Sequence, residues 1–109
     1  MLPAGILREL VVIERARQER NEVGEAVQTR WDEVARRRAA IEQSAGSEAQ
    51  QMYQTAGSTS WLVRMRFCEQ LATGMRLRWV SRANRILYVA SVVERGNREE
   101  HEVLGEERR

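Results

Sequence analysis

The sequence has 109 residues, with 18 Lys plus Arg against 16 Asp plus Glu, one Cys, one His and a formal charge of +2. At 42% hydrophobic and 31% charged it supports one core, so a single domain over 1–109 is expected. No apolar run approaches the roughly 20 residues of a membrane helix. "MLPAGILREL" carries no signal-peptide pattern, and the lone Cys68 excludes an internal disulfide framework and fits a reducing compartment, the cytoplasm. The cations interleave with Glu along the chain, which as a nucleic-acid signal is weak.

Leu7 to Ile13, "LRELVVI", is rich in β-branched residues and reads as a strand, with Leu7, Val11 and Ile13 on one face and Leu10 and Val12 on the other. Arg15 to Glu25, polar throughout and containing Asn21 and Gly24, reads as a turn or extended loop. Glu25 to Gln43 is ambiguous. Its composition favours helix, and Val27, Trp31, Val34, Arg38 and Ile41 fall near a helical stripe. Equally, Val27 to Trp31 and Val34 to Glu42 can be two short strands. Ser44 to Ser60, "SAGSEAQQMYQTAGSTS", is small and polar, with a possible N-cap at Ser47 and a short helix through Tyr53 ended by Gly57. An excursion of that length in a small domain points to function or mobility.

Alternation then becomes clear. Trp61, Val63, Met65 and Phe67 alternate with Leu62, Arg64, Arg66 and Cys68, and Met75, Leu77 and Trp79 alternate with Arg76 and Arg78. "RILYVASVV" is apolar on both faces and reads as a central strand. "ERGNR" is a hairpin signal leading into a last strand, "EEHEVLGEE". Short strands at roughly 8–12-residue spacing predict a mainly β fold, a small barrel or sandwich. Its expected core includes Trp61, Phe67, Leu77, Trp79, Ile86, Tyr88 and Val92.

Catalytic groups are not evident. His101 and Cys68 are too few for a zinc set; His101 reads as a surface histidine and Cys68 as a small buried thiol. No phosphate loop or singled-out carboxylate pair is present, so no cofactor, metal or enzymatic activity is expected. The Arg residues remain: Arg36, Arg37 and Arg38 form the densest run. Arg64, Arg66, Arg76 and Arg78 would crowd one face if their strands paired as a hairpin, an arrangement stable only in water or against an anionic partner. Two readings stay open, a solvated face or a basic surface addressed to phosphates or to an acidic protein ring.

The succession "LRELVVIER", "NEVGEAVQTRW", "RAAIEQSAGSEAQQM", "TSWLVRMRF", "GMRLRWVSRANRILYVASVV" and "NREEHEVLGEE" resembles the phage head-tail joining, or head-closure and stopper, proteins of long-tailed phages and phage-like gene transfer agents. The resemblance covers nearly the whole chain and rests on order and spacing rather than on one motif. It implies a small β-barrel of about six or seven antiparallel strands with one short helical excursion, and strands over Val27 to Glu42. It also implies a structural virion protein in the particle neck, made in the bacterial host cytoplasm. Its implied partners are a homo-oligomeric ring, six-fold in preference to twelve-fold, an adaptor and portal ring above, a tail terminator or tail tube protein below, and packaged double-stranded DNA in the channel, with no membrane. Glu48, Gln50, Gln51 and Tyr53 become candidate channel or inter-subunit contacts, and the seven Arg a partner-facing surface. The alternative is a small basic β-barrel that binds nucleic acid, with Trp61, Trp79 or Tyr88 stacking bases.

Overall fold

The computed structural model describes residues 4–43 and 58–108. A 3-10 turn at Ala4–Ile6 leads into β1 (Glu9–Arg20) and β2 (Ala26–Gln43), followed by β3 (Ser58–Arg66), β4 (Arg76–Trp79), a second 3-10 turn at Val80–Arg82, β5 (Arg85–Arg95) and β6 (Glu100–Arg108). All pairings are antiparallel, and the six strands close into a barrel in the order β1-β2-β3-β6-β5-β4. The expectation of a mainly β fold holds.

The inward face follows from alternation. Val11 and Ile13 of β1, Ala39 of β2, Trp61, Val63 and Met65 of β3, Leu77 and Trp79 of β4, Leu87 and Val89 of β5 and Val103 of β6 are buried in one cluster. Trp61 and Trp79 meet edge-on at 5.1 Å between centroids, which fills one end of the interior at low conformational cost. β3 and β4 lie on opposite sides of the ring. The connection between them crosses the other end, buries Cys68, Leu71 and Met75, and is stitched by the Leu71 N–H donating to the Cys68 carbonyl at 3.1 Å.

Four expectations are corrected. Arg15 to Arg20 continues β1 rather than forming a loop; only 21–25 turns. Residues 26–43 are extended, as the resemblance implied, but form one long strand rather than two. The register slips where Ile13 faces Ala35 but Glu14 faces Glu33, so Val34 is an extra residue that bends β2 without ending it. In β5 the apolar faces are opposite to expectation: Leu87 and Val89 are buried, and Ile86 and Tyr88 are only half-buried on the outside. Phe67 lies past the end of β3, half-buried against the His101 ring at 4.7 Å.

β4 pairs with β1 only from Val11 to Glu14, and β3 pairs with β2 only from Ala39 to Gln43. Arg15–Arg20 and Ala26–Asp32 therefore leave the barrel as a two-stranded arm. Ion pairs hold it: Arg17 Nε to Asp32 at 2.9 Å and Arg30 Nε to Glu19 at 2.6 Å. Its tip is ordered by Asn21, whose side-chain oxygen accepts the N–H groups of Val23 (3.1 Å) and Glu25 (2.9 Å). Gly24 takes the left-handed conformation, φ +86°, that a side chain would resist.

Candidate functional site

The arginine-rich outer surface is where charge and exposure concentrate, but the four strand arginines do not pool. β3 pairs with β2 and β6, never with β4, so Arg64 and Arg66 are across the barrel from Arg76 and Arg78. Arg76 Nε donates to Glu14 at 2.7 Å, and Arg78 Nε lies 3.4 Å from the other oxygen of the same carboxylate. Glu14 is 6% exposed, so two guanidiniums compensate its burial. Arg76 also stacks over Trp31 at 4.3 Å, and Trp31 meets Tyr88 edge-on at 6.2 Å. Arg64 reaches Glu100 at 3.7 Å. These three cations work within the fold.

A different set converges. One step beyond the last paired residues of β2 and β3, Ala39 and Met65, stand Arg38 and Arg66. With Arg36, Arg37 and Leu7 they line a groove of about 310 Å³. Glu33 grips Arg36 through both carboxylate oxygens at 3.1–3.2 Å and holds its guanidinium further above its ordinary value. Arg37 donates to the Arg36 carbonyl at 2.8 Å. Among the described residues, neither Arg38 nor Arg66 has a carboxylate partner. Like charges set side by side at a ladder's end cost stability unless water or an anion separates them. The groove thus gathers four of the seven arginines singled out in the sequence.

At the barrel end filled by Trp61 and Trp79, Arg85 donates from Nε and Nη2 to the two oxygens of Glu107 at 2.5 and 2.6 Å, and the Trp61 indole N–H donates to the same carboxylate at 3.3 Å. That bidentate bond raises Arg85 above its ordinary value. Trp79 Nε1 is buried with no hydrogen-bond partner among the described residues. Glu14, Arg85, Glu107 and Trp31 carry no motif, and their roles depend on which strands become neighbours.

His101 is 2% exposed, not a surface residue. Its Nδ1 accepts the Cys68 backbone N–H at 3.3 Å, while the Cys68 thiol, buried as expected, faces Gln70 Oε1 at 3.4 Å. Histidine and thiol are thus not arranged as base and nucleophile. Glu48, Gln50, Gln51 and Tyr53 lie outside the described residues, and Ser58 to Ser60, expected in the excursion, open β3.

The family model of the phage head completion protein matches residues 2–107. The chain belongs to the phage head completion protein family. That family is one of structural phage head proteins, not of enzymes. No curated protein matches this head completion protein. Its fold is similar to the solution structure of protein SF1141 from Shigella flexneri 2a, at 20% identity over 97% of this chain and 96% of that one, TM-score 0.72. It is also similar to a chain in the virion of a native gene transfer agent particle, at 20% identity over 94% and 96%, TM-score 0.65.

Proposed function

We propose that this head completion protein forms a ring between the portal-adaptor complex and the tail, seals the DNA exit channel after packaging and offers the surface on which the tail docks. The observation that carries the reading is the family match across 2–107. The likeness of fold to a chain of a gene transfer agent virion and a barrel whose polar chemistry lies on its outside support it. β2 ends and β3 begins at the barrel end opposite the arm, so the arm and the β2–β3 connection are free to serve different contacts of the ring. In this reading Glu48, Gln50, Gln51 and Tyr53 contact the channel or an adjacent subunit.

The test replaces Gly46 to Gly57 with a short Gly-Ser linker and examines particles by electron microscopy and DNA content. Tailless heads that have lost DNA are expected. Normal tailed, DNA-filled particles would refute the sealing role, and failure of the protein to enter particles would move these residues to the lateral contact.

The nucleic-acid module draws less support. Trp61 and Trp79 are buried, and although Tyr88 shares the outer face with Arg76, that guanidinium is held by Glu14 and Trp31 and is not free to follow a phosphate backbone.

A further inference from the structure

Among the described residues several charged side chains have no ion-pair partner, Arg15, Arg98, Glu42 and Glu69 among them, and two sets of opposite sign are clustered. Along the arm, Arg17 and Arg30 are occupied by Asp32 and Glu19, and Arg20 Nη1 donates to the Gly24 carbonyl at 2.8 Å. At its tip, Glu22 and Glu25 make no ion pair among the described residues. Between them stands Val23, 78% exposed, the most exposed large apolar side chain among the described residues. The tip is thus an apolar point between two free carboxylates, held in one conformation by Asn21. The groove of Leu7, Arg36, Arg37, Arg38 and Arg66 is the converse, a buried apolar Leu7 among guanidiniums of which only Arg36 holds a carboxylate among the described residues.

We propose that the arm tip of one copy, Glu22-Val23-Gly24-Glu25, docks into the Arg38–Arg66 groove of the next copy. The two cannot meet within one molecule: ten steps of β2 separate Ala26 from Arg36, about 33 Å of strand. Because tip and groove are different surfaces, the contact is head-to-tail, the kind that closes a ring when its rotation permits. A tip already ordered loses little freedom on docking, and the guanidinium fork suits a carboxylate held by two bonds. This contact rests on the ring reading above and supplies its lateral chemistry.

The copy number per particle is counted first by quantitative mass spectrometry. Assembled particles of a Val23→Cys/Arg66→Cys chain are then oxidised, with each single substitution as control. A non-reducing ladder of covalent multimers from the double variant alone is expected. In parallel, Glu22→Arg/Glu25→Arg and Arg38→Glu/Arg66→Glu should each reduce incorporation about tenfold, and the chain carrying all four should recover to within about threefold of the parent. Thermal midpoints identify any variant that fails to fold, in which case the cross-link decides alone. Several copies per particle without a cross-link, or a fourfold variant no better than its halves, overturns the contact while leaving the ring. Assembly unchanged but duplex-DNA binding lost in Arg38→Glu/Arg66→Glu assigns the groove to phosphate and also overturns it. One copy per particle ends the ring reading and this contact together.

Discussion

Arg85 and Glu107 are the clearest case of a side-chain pair that shapes this barrel. Glu107 is nearly enclosed, with 12% of its side chain exposed against 32% for Arg85, so removing the cation is worse than removing the acid. Arg85→Ala should cost about 2–3 kcal/mol and Glu107→Gln less, because the first takes the bidentate cation away from a nearly enclosed carboxylate. Urea denaturation of both variants measures this, and equal losses would show that the carboxylate finds water in solution. Glu19 tests the arm. The Gln28 side chain, donating to it at 2.6 Å, is the main reason its carboxyl sits below the ordinary value; Arg30 and Arg17 add to that, and burial opposes it. A lowered acid stabilises the folded arm fully above the unfolded value, and that stabilisation disappears as the pH falls through the lowered value. Gln28→Ala should raise the Glu19 midpoint read by carbon-13 NMR, and an unmoved midpoint would mean the bond does not form in solution.

Among the strands, β3 and β4 were legible because each alternates cleanly between apolar and Arg, so Trp61, Leu77 and Trp79 fell where expected. β5 was not, since "RILYV" offers two apolar faces and only its neighbours decide between them. Leu87→Ala should therefore cost about 2–5 kcal/mol, and Ile86→Ala clearly less; the reverse order in chemical denaturation would return β5 to the orientation its sequence first gave. Gly105 of β6 belongs to the same packing. A Cβ there would stand 3.1 Å from Leu87 Cβ, so Gly105→Ala should destabilise by about 1–3 kcal/mol through overcrowding, and a neutral effect would show that the β5–β6 pair yields. The arm escaped detection for another reason. Its strands are mostly polar, with Val27 and Trp31 as isolated apolar residues, because neither packs on the core cluster, and period-two patterning exists only where one face is buried. The groove was half legible: the Arg36–Arg38 run stands out, but its neighbour Arg66 depends on β2 lying beside β3, which no local signal encodes.

At the scale of the whole molecule, a closed sheet leaves most of its apolar side chains inside, and the exposed exceptions among the described residues, Ile6, Val23, Val27 and Val93, are scattered single residues. Isolated chains should accordingly be β-rich and largely monomeric at micromolar concentration, assembling on a partner ring rather than alone. Circular dichroism and sedimentation velocity test this, and a stable free oligomer would contradict it. Closure also governs how the chain must be made. β6 leaves the ribosome after the other five strands, yet its place is between β3 and β5, so during synthesis both of those strands present bare hydrogen-bonding edges that only the last segment can cover. A chain stopped after Arg95 would keep those edges permanently and should collect in the insoluble fraction, which makes the emergence of β6 the event that renders the barrel safe from its own neighbours.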